Sequence, residues 1–139
     1  MKKLFAGLLA AFLLTAGLVA ATGSPAQAAC GNPQYPACFE TKTGLTVSPT
    51  GNGPARRTFK ATVRAVGTTA RPVGTVTFRF KRVGGGVSFA TRTLGSTGRV
   101  TITRKFKPGK YNVTATFTGK NGSIFDDSKS GNRQFRVKR

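Results

Sequence analysis

Lys107-Pro108-Gly109-Lys110-Tyr111-Asn112-Val113-Thr114-Ala115-Thr116-Phe117-Thr118-Gly119 carries the plainest pattern in this chain. Tyr111, Val113, Ala115 and Phe117 are apolar, and Asn112, Thr114 and Thr116 stand between them. Successive side chains of a strand point to opposite faces, so this alternation describes a strand, Lys110 to Phe117, buried on one side and wet on the other. The Pro108-Gly109 pair turns the chain into it.

The same period of two recurs on either side. Thr58 to Val66 places Phe59, Ala61, Val63 and Ala65 on one face, with Thr58, Lys60, Thr62 and Arg64 on the other. Gly74 to Arg82 places Val76, Phe78 and Phe80 inward and Thr75, Thr77, Arg79 and Lys81 outward. Arg99 to Thr103 buries Val100 and Ile102, and Gln134 to Lys138 buries Phe135 and Val137. Leu45 to Ser48 forms a first strand ended by Pro49, and Val87 to Leu94 forms a fourth whose inward face the pattern leaves open. Glycine, proline and asparagine clusters separate the runs, and no segment keeps a helical period for three turns. Seven short strands with regularly spaced turns predict an all-β, seven-stranded immunoglobulin-like β-sandwich. On this reading the core takes nearly all the phenylalanines of the domain, so no exposed aromatic platform is expected for stacking.

From about Thr43 to the C-terminus the chain resembles the bacterial Ig-like repeat domains of secreted and surface proteins. The matching pieces are PVGTVTF at residues 72 to 78, TLGSTGRVTIT at 93 to 103, and KPGKYNVTATFTGKNGSIFDDSKS at 107 to 130. The resemblance implies a sandwich that serves as a stalk, spacer or adhesive module and implies no chemistry. In immunoglobulin-type domains a tyrosine opens the sixth strand two residues before an inward cysteine, and its hydroxyl bonds back to the preceding corner. Tyr111 stands at that position, with an ordinary core aromatic as the alternative. Val113 occupies the cysteine position, so no disulfide joins the sheets there. Lys120 stands where the family often has an acidic residue, so no metal or acidic-loop role carries over.

At 139 residues the chain has room for one domain behind a leader. Lys2 and Lys3 precede an apolar run from Leu4 to Ala21, and Pro25 is followed by Ala26-Gln27-Ala28. This is a signal-peptide pattern with cleavage expected after Ala28. The expected organisation is a signal peptide over 1–28, a lead-in over 29–43 closed by a Cys30–Cys38 disulfide, and the domain over 44–139. Two alternatives stay open: an uncleaved membrane anchor, and a lipid on Cys30, against which Gln27 stands where a lipoprotein signal wants a branched apolar residue. The expected location is extracellular, with association to the cell envelope.

Charge and missing chemistry bound the function. There are 23 Lys and Arg against 3 Asp and Glu, with no histidine, for a net charge of +20. Without histidine the Ser/His/Asp and Cys/His triads and the usual zinc ligands are absent, and Asp126 and Asp127 read as neighbours in a solvated turn. Gly84-Gly85-Gly86 lacks the Lys-Ser/Thr ending and the helix of a phosphate loop. No catalytic, cofactor-binding or metal-binding residue is expected. In a seven-strand sandwich the third, sixth and seventh strands share a sheet. The alternation then places Arg79, Lys81, Arg136 and Lys138 on its outer face, as a candidate site for anionic cell-wall or extracellular polymers. The competing class is a secreted cationic effector acting on nucleic acid or anionic membranes. Sequence-specific nucleic-acid binding is not expected without a helix for a groove, nor membrane disruption without an amphipathic helix.

Overall fold

The computed structural model describes residues 38–49 and 55–138. The expected leader, its cleavage site after Ala28, and Cys30 lie outside the described residues, and with Cys30 so does its expected disulfide to Cys38. Eight strands follow in order: β1 (Thr41–Pro49), β2 (Arg56–Ala65), β3 (Gly74–Arg82), β4 (Val87–Thr93), β5 (Arg99–Lys105), β6 (Gly109–Gly119), β7 (Ser128–Lys129) and β8 (Arg133–Val137). They form two antiparallel sheets, one ordered β1-β2-β5, the other β4-β3-β6 with β7 and β8 both on the far side of β6. The all-β sandwich read from the alternation is the architecture observed.

Apolar side chains of the two inner faces fill the space between the sheets. Phe59, Phe78, Phe80 and Phe117 are fully buried with Val63, Val76, Val113 and Val137. Phe59 of one sheet meets Phe80 of the other edge-on, with centroids 4.9 Å apart and planes at 67°, a geometry the ring quadrupoles favour. Phe106, just after β5, closes one end of the core against Tyr111 and Phe135 at 5.0 and 5.1 Å. At the other end the turn between β4 and β5 is tied down through Gly98. Its φ of 69° is left-handed, and a Cβ there would lie 2.7 Å from the Val63 carbonyl. Only glycine fits both the dihedral and the approach.

Three departures from the sequence reading have physical causes. First, β1 begins at Thr41, four residues before the expected Leu45. Thr41 and Thr43 point inward and are buried, and each hydroxyl lies 2.7 Å from Ser128 Oγ. Buried polar groups with partners extend a strand without leaving an apolar signature. Second, the last strand is preceded by the short β7, because Ser130 replaces a backbone partner with its side chain. Ser130 Oγ accepts from the Ala115 amide at 2.9 Å, while the Ser130 amide donates to the Ala115 carbonyl at 2.8 Å. Third, β4 is an edge strand whose inward side carries Ser88 and Ala90 opposite Phe80 and Phe78, while Phe89 points outward. Phe89 is 60% exposed, so the expectation that no aromatic is left for stacking is corrected at this residue.

Candidate functional site

The outer face of the five-stranded sheet is laid out in cross-strand rows by its register. One row runs Phe89, Arg79, Thr114 across β4, β3 and β6. The next runs Val87, Lys81, Asn112, Gln134 and reaches β8. A third pairs Lys110 with Arg136. On the other side of the first row stand Thr91, Thr77, Thr116 and Lys129. Thr77 and Thr91 share a hydrogen bond of 2.9 Å, so part of this hydroxyl surface is fixed.

Arg79, Lys81, Arg136 and Lys138 are all exposed, and none forms a hydrogen bond or ion pair through its side chain among the described residues. Standard strand rise and spacing put the Arg79 and Lys81 backbones roughly 7 Å apart, and those of Lys81 and Arg136 about 12 Å apart. These separations are comparable to the screening length of about 8 Å at physiological salt, so the cations feel one another and attract a polyanion together. Lys138 follows the buried Val137 and lines a shallow hollow with Arg136, Lys110 and the Pro108-Gly109 corner. The fold therefore gathers Arg136 and Lys138 with Lys110 at one end, and leaves Arg79 beside Phe89.

Lys110 was not singled out by its sequence, although the inward Tyr111 next to it implies that it points out. Its position is set by the corner before β6. Tyr111 Oη donates to the Lys107 carbonyl at 2.8 Å, and Arg82 Nη2 donates to the Pro108 carbonyl at 2.8 Å. Other cations are engaged in the fold in the same manner. Arg57 Nη2 donates to the Arg136 carbonyl at 3.0 Å, Arg133 Nε to the Leu45 carbonyl at 3.2 Å, and Arg104 lies 5.4 Å from the Phe80 ring centroid. Basic composition thus divides into arginines held against carbonyls or rings of neighbouring strands and corners, and cations that face solvent.

The acidic residues have structural partners. Asp127 Oδ1 accepts the Gly119 amide at 2.8 Å, and Glu40 lies 3.9 Å from Lys42 in an exposed pair. Asp126 contributes its backbone, donating to the Phe39 carbonyl and accepting from Thr41 Oγ1 at 2.7 Å.

A sequence model of the bacterial Ig-like domain (group 3) matches residues 41–138, a span that contains all eight strands and the four candidate cations. The chain belongs to this family. Membership in the bacterial Ig-like family suggests a structural or adhesive module; its domains are generally non-enzymatic and commonly extracellular or surface-exposed. No curated protein matches the chain. Among the described residues no helix is long and apolar enough to cross a membrane.

Proposed function

We propose that this bacterial Ig-like domain is a secreted, non-enzymatic structural or adhesive module that stays near the cell envelope by electrostatic binding to anionic polymers. Arg79, Lys81, Arg136 and Lys138 are the assigned contacts, and the role requires no cofactor. One observation carries the reading: exposed cations on a rigid sheet face, unpaired among the described residues, in a chain of net charge +20. A charge of magnitude about 2 to 8 already keeps a small domain soluble, so solubility alone leaves the excess unexplained. Strand arginines that hold carbonyls account for some of it, and the solvent-facing cations for the attraction.

The test replaces Arg79, Lys81, Arg136 and Lys138 by Gln and measures binding to purified wall polymer as a function of salt. Each lost contact should make the slope of log affinity against log salt shallower by up to about one, because fewer counterions are released. A control variant replaces Lys60, Arg64, Arg99 and Lys120 in the same way. A larger loss in the first variant supports the assignment. Equal losses mean that net charge acts without a preferred face, and absence of binding by the unmodified protein rejects the reading.

A further inference from the structure

We infer that the Phe89 edge of the five-stranded sheet is a sugar-stacking platform, and that the polymer bound on this face is a carboxylated polysaccharide built of pyranose rings. The inference rests on the electrostatic reading above and adds a ligand class to it.

Phe89 and Val87 are 60% and 42% exposed and stand on the same outer face of β4. Val83, 57% exposed, lies just beyond β3 and lines a hollow of about 490 Å³ with Lys110, Asn112, Gln134 and Arg136. The face therefore has an apolar side along β4 and the end of β3, and a cationic, amide-bearing side along β6 and β8. Lys81 lies between Val87 and Asn112, and Arg79 between Phe89 and Thr114. Exposed apolar groups gathered with polar ones of a single charge sign mark a binding surface better than scattered ones do.

The chemistry of this layout selects among anionic polymers. A pyranose ring has a C–H face that packs on an aromatic face, where the ring quadrupole is negative, and a rim of hydroxyls for hydrogen bonds. A carboxylate on the same ring reaches a guanidinium or ammonium beside the aromatic. Phe89 next to Arg79, bordered by Thr77, Thr91 and Thr114, offers all three contacts. A polyphosphate chain has the charge but no ring for Phe89. Single-stranded nucleic acid stacks successive bases on successive aromatics, and this face presents one. A second copy of the chain would set Arg79, Lys81, Lys110 and Arg136 against the same residues of a molecule that also carries +20.

The experiment uses the intact secreted protein and three variants: Phe89→Ala, Phe89→Tyr, and the four-Gln replacement of Arg79, Lys81, Arg136 and Lys138. Probes are polygalacturonate, inorganic polyphosphate and oligothymidylate. Phe89→Ala should weaken polygalacturonate binding about tenfold, the scale of losing one aromatic anchor. It should leave polyphosphate binding unchanged, and Phe89→Tyr should restore the affinity for polygalacturonate. The four-Gln variant should weaken both. Because Phe89 points into solvent, thermal unfolding of all variants should stay close to that of the parent. If Phe89→Ala leaves polygalacturonate binding intact, or weakens polyphosphate equally, the sugar platform is wrong while the electrostatic reading stands. A larger loss on oligothymidylate than on polygalacturonate, or a dimer abolished by Phe89→Ala, overturns it in favour of nucleic acid or self-association. Binding of none of the probes by the parent removes both readings.

Discussion

The outer faces of the two sheets carry similar charge and differ in what surrounds it. On the three-stranded sheet, Lys42, Lys60, Arg64 and Arg99 alternate with Thr46, Thr58, Thr62, Thr101 and Thr103. On the five-stranded sheet, Arg79, Lys81, Lys110 and Arg136 alternate with threonines, and Phe89, Val87 and a hollow lined in part by Val83, Asn112 and Gln134 are added. Both faces attract a polyanion. Under the proposed function, charge would draw an anionic polymer to either face, and the apolar edge would make the five-stranded face the preferred one. Cations without an apolar neighbour also protect exposed strands against edge pairing, which is enough to account for part of the three-stranded face.

The sheets also differ in the room around one glycine in each, and this gives the largest effect. A Cβ on Gly74 in β3 would collide with the Thr118 carbonyl and lie 2.8 Å from the Phe117 ring, whereas one on Gly44 in β1 meets only the Thr62 carbonyl at an ordinary 3.8 Å. Gly74→Ala should cost about 3 kcal/mol or more, the upper range for overpacking, and Gly44→Ala should be nearly neutral. Chemical denaturation of the pair checks it; equal midpoints would show that the five-stranded sheet is no more tightly built at this point.

Tyr111→Phe comes next. Removing the hydroxyl leaves the Lys107 carbonyl without that 2.8 Å bond and should cost about 1 kcal/mol. Because the corner also aims Lys110, polyanion affinity should fall slightly in the same variant. A stability loss with unchanged binding would separate the corner from the site and confine the binding face to β3, β4 and β8.

The smallest effect compares matched threonine pairs. Thr77 and Thr91 share a bond of 2.9 Å on the five-stranded face, and Thr58 and Thr103 one of 3.0 Å on the three-stranded face. Thr77→Val and Thr58→Val should each change stability by about 0.5 kcal/mol, the scale of one cross-strand pair. Only Thr77→Val should lower binding to polygalacturonate. Equal binding in both variants would remove the hydroxyl surface from the sugar platform and leave Phe89 and its cations.

Alternation by itself determined the strands that carry the core. Phe59, Val63, Val76, Phe78, Val113 and Phe117 could be assigned inward because burying apolar area on one side of a strand demands a period of two, and that demand is local. The outward direction of Arg79, Lys81 and Arg136 followed from their inward neighbours by the same rule. Tertiary structure decided what no local period encodes. Thr41, Thr43 and Ser130 are buried because partners distant in sequence satisfy their polar groups. The division of the cations into arginines that hold carbonyls and side chains that face solvent depends on which carbonyls come within reach after the sheets pack. Phe89 faces out because β4 is an edge strand whose inner side needs only Ser88 and Ala90, so the aromatic gains nothing from the core. Strand direction is written in neighbouring residues, whereas the environment on either side of an edge strand is set by where the other sheet ends.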